Sequence, residues 1–324
     1  MTSQTDTAAQ SDTAVNPSRG LGFLALTISP LFFSTNLIIG RAATGAVEPA
    51  TLAFWRWAIA FAILLPFALR GLRANWPALK QSAAEIFAMA FLAIVICGAL
   101  IYLSLRYTTA TNATLIYTTS PVLIVLLEWA FRGIRPKLRQ MAGIALAFAG
   151  VAVIIFKGDM ARLATFEFNG GDIGVALSAL AWALYSVILR RKHFRALPTI
   201  TLFCAIAGAG IILMFPLMLW ETVTLGAFPR SPTAWFSILG VALLASVLAF
   251  STFQYGVKTL GPSIAGVFMY LLPVFGIAQA IVFLGETLKG FHLAGIAGVA
   301  AGVLLATLPQ KRPAAPPPTP PSAR

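Results

Sequence analysis

Charge is scarce in this chain: 33 of 324 residues are Asp, Glu, Lys or Arg, and only 10 are acidic. Soluble domains carry about a quarter of their residues as charge. A soluble fold of this size would need that charge to cover its cores. The shortage, with a mean hydropathy of +0.86, argues against a soluble enzyme and against a disordered regulator. Cysteine is nearly absent as well. Cys97 and Cys204 both fall in apolar stretches and read as small buried residues, which excludes a disulfide scaffold. Histidine is limited to His193 and His292, far apart along the chain, so neither a metal site nor an acid–base pair is expected. No glycine-rich phosphate loop ending in Lys-Ser/Thr occurs, so no ATP-driven pump and no cofactor is indicated. The alternating apolar–polar pattern of barrel strands is missing too.

What the chain has instead is long apolar runs. A membrane-crossing helix needs about 20 mostly apolar residues. Ten stretches qualify: 21–40, 50–69, 85–105, 109–131, 140–156, 172–189, 199–220, 233–256, 263–284 and 290–308. The expected fold is an all-α integral membrane protein of ten transmembrane helices. Residues 1–19 are polar, lack the charged-then-apolar order of a cleaved signal peptide, and read as a disordered tail. Residues 309–324 contain PAAPPPTPP and read as a second disordered tail.

The formal charge of +13 is placed asymmetrically. With ten spans, the two tails and the even-numbered loops share one side and hold 16 of the 23 basic residues. Positive residues favour the cytoplasm, so both termini are expected there, in a bacterial-type inner membrane. Orientation accounts for the basic loops, and no nucleic-acid partner is needed.

The chain also repeats. Shifted by 152 residues without a gap, Ala113 falls on Ala265, Pro121 on Pro273, Phe131 on Phe283 and Gly133 on Gly285. Ala142-Gly143-Ile144 falls on Ala294-Gly295-Ile296, and Ala149-Gly150-Val151 on Ala301-Gly302-Val303. Spans four and five therefore match spans nine and ten; the first three spans of each half align too weakly to add to this. The repeats are expected at 20–157 and 172–308. An odd number of spans in each half inverts the second half in the membrane. Inverted repeats are a common construction of secondary transporters, with the binding site near the midplane.

Three stretches carry a family resemblance. Residues 107–133, YTTATNATLIYTTSPVLIVLLEWAFRG, show small residues, a mid-helix proline and a terminal glycine. Residues 262–286, PSIAGVFMYLLPVFGIAQAIVFLGE, form the second copy, with a Gly285–Glu286 ending. AFWRWAIA around Arg56 opens span two. These resemble the drug/metabolite transporter superfamily in its ten-helix EamA-type branch. The resemblance implies export of amino acids, their derivatives, drugs or other metabolites. The chain departs from the pattern at Ile134, where the family often has Glu after the glycine.

Candidate site residues follow from depth and polarity. Pro121 and Pro273 occupy equivalent midplane positions, where each removes a backbone donor and bends its helix; they are the expected hinges. Tyr117 and Thr118 precede Pro121, and Met269 and Tyr270 precede Pro273. Trp182 and Tyr185 share a face of span six. Asn36 and Asn112 bring amides that require partners in hydrocarbon. Gln254 matches Tyr102 at the same offset, one near each mouth of the expected cavity. For each residue alone, helix packing or an interfacial belt is the competing use.

Three charged residues are candidates for gating or coupling. Arg56 is either an anchor for an anionic part of substrate or a structural arginine bonded to its surroundings. Glu128 either pairs along its helix with Arg132 or couples protons. Glu286 matches the family motif but also suits a helix end that reaches water. Glu85 opens span three, where a carboxylate complements the helix dipole. The small-residue faces of spans five and ten permit close approach, within the chain or as a homodimer seam.

The function expected is export of a small neutral, zwitterionic or amphipathic metabolite, such as an amino acid, by alternating access. The partners are that substrate and the bilayer. A channel, or a non-transporting membrane protein or enzyme, is the alternative. An enzyme would need titratable groups gathered at one depth, and the spans contain almost none.

Overall fold

The computed structural model describes residues 17–43, 47–104, 106–108, 110–159, 169–284 and 287–308. Residues 1–16 and 309–324 and Glu286 lie outside these residues; residues 17–19, expected in the first tail, instead open the first helix. The described chain is helical, without strands. Among the described residues, nine helices are long and apolar enough to cross a membrane: α2 (Pro49–Ala74), α3 (Ala83–Ser104), α4 (Asn112–Arg132), α5 (Leu138–Ile155), α6 (Gly170–Ile188), α7 (Thr199–Leu225), α8 (Pro232–Leu260), α9 (Pro262–Phe283) and α10 (Gly290–Thr307). With α1, a 27-residue helix at Pro17–Ala43, the protein has ten membrane helices in two repeats of five. Four run three or more residues past their expected ends: α1 to Ala43, α2 to Ala74, α7 to Leu225 and α8 to Leu260. Helical hydrogen bonding continues beyond the apolar window there, because no proline or left-handed residue interrupts it sooner.

Local chemistry sets the helix ends. Proline stands in the first turn of α2, α8 and α9, where its missing N–H costs nothing. The start of α6 is a capping box: the Asn169 side chain accepts from Gly171 N and Asp172 N, and Asp172 Oδ2 accepts from Asn169 N at 2.9 Å. Gly133 (φ 66°) and Gly226 (φ 64°) end α4 and α7 in the left-handed conformation that glycine adopts without strain.

The two halves interleave. Helix α1 packs on α8 and α9, and its repeat mate α6 packs on α3 and α4. Helices α2 and α7, α4 and α9, and α5 and α10 pair with one another. Each of these pairings maps onto another, or onto itself, when helix i is exchanged with helix i+5. This is what a two-fold axis in the membrane plane requires of inverted repeats. The small-residue faces of α5 and α10 are used within the chain. A Cβ on Gly302 would lie 2.4 Å from Ala147 N, and one on Gly150 would lie 2.6 Å from Val299 N. Backbones touch there, so the seam considered for a homodimer is occupied by the chain itself.

Two irregularities recur in both halves. Helices α3 and α8 turn π-helical over Phe91–Leu100 and Val241–Leu248, segments that overlap when shifted by 152 residues. Such turns widen a helix and often mark functional regions. Helices α4 and α9 are broken rather than bent: α4 regular segments end at Tyr117 and resume at Ser120, and those of α9 end at Phe268 and resume at Leu271. The turns tighten to i−3 bonding, with Thr119 N on Ile116 O at 3.0 Å and Tyr270 N on Val267 O at 3.1 Å. Pro121 and Pro273 follow directly, and each lacks the N–H that would continue the ladder.

Candidate functional site

The breaks in α4 and α9 flank a cavity of about 540 Å³. It reaches the surface at Val47, Pro49 and Arg106, on the side of the α1–α2 and α3–α4 loops. Of the residues expected to form a site, Asn36, Arg56, Tyr102, Tyr117, Thr118, Pro121, Trp182, Met269, Tyr270 and Pro273 all line it. Seven helices, α1, α2, α3, α4, α6, α8 and α9, bring residues from both repeats around one space.

Arg56 is buried, at 5% exposure, yet has no carboxylate partner among the described residues. Its Nε donates to Ser246 Oγ at 3.0 Å and its Nη1 to the Tyr102 hydroxyl at 3.1 Å. Nη1 also lies 3.5 Å from Asn36 Oδ1, to which Tyr102 donates at 2.8 Å. The guanidinium stands 5.3 Å from the Trp57 ring centroid, a cation–π arrangement of about 2 kcal/mol when desolvated. Neutral partners and a ring face hold the charge in place without cancelling it. A buried cation without a counter-ion is costly, and an incoming anion would offset that cost. Ser246 lies in the π-helical turn of α8, so the irregular backbone there helps aim the arginine.

The deep wall is aromatic. Trp182 packs edge-on to Phe33 (5.5 Å) and Phe250 (5.6 Å) and tilted against Phe253 (4.7 Å), while Trp57 packs edge-on to Phe250 at 5.0 Å. Trp57 Nε1, Trp182 Nε1 and the Tyr270 hydroxyl are buried without a hydrogen-bond partner. Cys97, on the π-helical turn of α3, also lines the cavity and donates to Ser178 O at 3.3 Å.

Three expected residues lie elsewhere. Asn112 points its Nδ2 to Asp172 Oδ2 at 3.4 Å; Thr108 Oγ1 also donates to Asp172, so this carboxylate ties the start of α4 to the start of α6. Gln254 donates to the Tyr185 hydroxyl at 2.9 Å, and both are fully buried beyond the cavity wall. The Gln254 amide nitrogen and the Tyr185 hydroxyl are thus paired, while Gln254 Oε1 is buried without a partner.

Glu128 also lies away from the cavity, at the opposite end of α4. Its Oε1 accepts from Arg132 Nη1 at 2.7 Å, and its Oε2 accepts from Ser263 N at 3.2 Å and from Ser263 Oγ. It therefore pairs along its own helix and also caps the start of α9, across the repeat boundary. Around it, Arg190 donates to Val257 O at 3.1 Å and Lys258 to Leu197 O at 2.7 Å. Desolvation first, then Arg195 and Arg132, pull the Arg190 guanidinium below its ordinary range, while Glu128 opposes them. This end of the bundle is knit shut. Glu85, at the same end, bonds Arg191 (2.8 Å) and His193 (3.2 Å).

Several contributors carry no linear signal. Trp57, Cys97 and Phe250 line the cavity as ordinary apolar-span residues. Glu221 caps α2 from α7, accepting from Ala50 N (3.0 Å), Thr51 N (2.7 Å) and Thr51 Oγ1 (2.8 Å). Asp172 was legible only as the end of Asn-Gly-Gly-Asp, a capping pattern.

Comparison with known proteins agrees with this architecture. The EamA-like transporter family matches residues 20–156 and again 169–308. An "Uncharacterized transporter YyaM" of Bacillus subtilis is 28% identical over 86% of this chain and 90% of its own length. An "Aromatic amino acid exporter YddG" of Ancylobacter novellus is 26% identical over 90% of this chain and 97% of its own. One crystal structure superposes with a TM-score of 0.71 at 23% identity, covering 90% of this chain and 96% of the other, which shows the shared fold.

Proposed function

The chain belongs to the EamA-like transporter family, and from that premise we propose that it exports a small amphipathic metabolite bearing a carboxylate, with amino acids as the leading class. It is a multi-pass membrane protein. The substrate, the direction and the mechanism are our reading. The observation that carries it is Arg56: a buried guanidinium without a counter-ion, at the wall of an aromatic cavity open at one end. A carboxylate is the planar acceptor that such a fork binds best. An apolar or aromatic body then meets Phe33, Trp57, Trp182 and Phe250.

The basic loops support cytoplasmic termini in a bacterial plasma membrane. With that orientation the mouth faces outward and the Glu128–Ser263 end faces the cytoplasm. Export requires the reverse state as well, in which α4 and α9 separate at Glu128 and close at the mouth. Breaks at equivalent depth in both helices supply equivalent hinges, so exchanging the conformations of the halves reverses access. This is transport rather than chemistry: among the described lining residues none pairs a nucleophile with a base.

The test is counterflow in proteoliposomes with a panel of aromatic, aliphatic and cationic amino acids. Saturable exchange of aromatic or aliphatic members, lost in Arg56→Gln, is expected. Saturable exchange that survives that substitution would defeat the role given to Arg56. Linear flux would point to a channel.

A further inference from the structure

We infer that the cavity recognises a carboxylate and further acceptor groups but not an ammonium, so that an aromatic acid with an uncharged, acylated nitrogen is held at least as well as the parent amino acid. This rests on the reading that the cavity is the binding site, and it sharpens the substrate class within that reading.

The first argument is charge. Among the described lining residues the charged ones are Arg56 and Arg106, and none is Asp or Glu. Arg106 sits at the mouth, half exposed, in an ion pair with Glu48 at 2.5 Å. The mouth pair is thereby neutral, and the inner field is that of Arg56. Buried carboxylates near the lining elements are already engaged. Asp172 accepts from Asn169 N, Thr108 Oγ1 and Asn112 Nδ2, and Glu128 from Arg132 and Ser263. An α-ammonium beside a carboxylate held at Arg56 would therefore enter a low-dielectric space that already holds a cation, with no anion of its own to meet.

The second argument is hydrogen-bond polarity. Trp57 Nε1 and Trp182 Nε1 are buried donors with no acceptor. Neither N–H carries exposed surface in this state, so a small ring shift would have to bring it to a ligand; an acyl carbonyl would then satisfy it, and an ammonium, with three donors and no acceptor, would not. Acceptors on the wall are mostly committed or neutral: Asn36 Oδ1 already receives Tyr102 and faces Arg56. The Tyr270 hydroxyl is unpartnered and suits a carbonyl as donor.

Magnitudes decide between this and the opposing effect. The ring faces of Phe33, Trp182 and Phe250 could attract an ammonium by cation–π contact, worth about 0.5–2 kcal/mol. Dehydrating an ammonium without a paired anion costs several kcal/mol. The cost exceeds the gain, and the orphaned indole donors add to the difference.

The experiment uses the full chain in lipid nanodiscs at pH 7 and titrates three probes: N-acetyl-L-phenylalanine, L-phenylalanine and 2-phenylethylamine. The acetylated acid should bind as tightly as the amino acid or more tightly, and the amine at least tenfold more weakly. Tenfold tighter binding of L-phenylalanine than of its acetylated form, or binding of the amine on a par with the acids, would overturn the inference while leaving the cavity as the binding site. Binding by none of the three would defeat the binding-site reading itself, and the inference with it. Trp182→Phe removes one indole donor and keeps an aromatic ring. It should weaken the acetylated acid several-fold more than it weakens L-phenylalanine; an equal effect on both would overturn the role given to the indole.

Discussion

The two ends of α4 and α9 differ more than any other regions of the molecule. At the mouth, the first turns of α4 are tied to α6 through Asp172, and space for a ligand separates them from α9. At the other end, α4 is tied directly to α9 through Glu128 and Ser263, and Ile124 packs against Gly266. The same helices, bent at the same depth, are parted at one end and fastened at the other. In a chain with few acids, buried carboxylates serve as helix caps at both ends, and the partner each one caps decides which end can open. Asp172 and Glu221 cap helices on the mouth side, whereas Glu128 bridges α4 and α9, the two elements that separate in the proposed reversal of access.

Five substitutions probe the difference between the two ends. The largest effect is expected at the open end. Arg56→Gln removes the charge that receives a carboxylate, and a charge-assisted bond of about 1.5–3 kcal/mol corresponds to a loss of roughly 10- to 100-fold in binding. Titration of N-acetyl-L-phenylalanine into both proteins measures it, and an unchanged affinity would leave the open end without a binding role. Next, Glu128→Gln weakens the fastened end. Loss of the ion pair and of part of the cap should raise the population open at that end by about tenfold, an effect of about 1.4 kcal/mol. Faster reaction of a cysteine at Ile124 with an impermeant maleimide added from that side reads it; equal rates would show that Glu128 does not hold the end shut.

Smaller effects test the hinges and the aiming of the arginine. Pro121→Ala and Pro273→Ala restore a backbone donor at each break. Each should cut transport several-fold at equal expression, and by similar factors because the repeat makes the positions equivalent. Transport equal to that of the native protein would remove the hinge role. Tyr102→Phe removes the hydroxyl that joins Arg56 to Asn36. A single neutral hydrogen bond of about 0.5–1.5 kcal/mol predicts a two- to tenfold loss of carboxylate affinity with unchanged thermal stability.

Much of the architecture was legible in the sequence, for physical reasons. Apolar runs must be about 20 residues long to span a bilayer, so nearly every helix could be located. Pro121 and Pro273 exposed the repeat because proline imposes the same backbone defect wherever it stands. The first three helices of each half hid their kinship. What they share is the π-helical turn at Phe91–Leu100 and Val241–Leu248, a property of backbone winding that no residue type encodes.

Within the site, residues chosen by depth and polarity largely line one cavity; of the three amides, Asn36 lines it and two do not. Asn112 and Gln254 sit against Asp172 and Tyr185 because a buried amide takes the nearest partner the fold offers. Arg56 could be singled out in advance, but its partner Ser246 lies 190 residues away. Glu221 meets Ala50 and Thr51 across 171 and 170 residues. Such contacts exist only once the inverted halves have interleaved.

In the proposed mechanism α4 and α9 part at their fastened end during transport. A disulfide there tests it most directly. A Cβ built on Gly266 lies 3.6 Å from the Ile124 Cβ, within the range a disulfide spans, about 3.5–4.5 Å. In the double variant Ile124→Cys, Gly266→Cys, counterflow of the best panel substrate is measured before oxidation, after oxidation and after reduction. The account predicts that oxidation stops transport, leaves substrate binding from the mouth intact, and is reversed by reduction. Undiminished transport in the oxidised protein would contradict it.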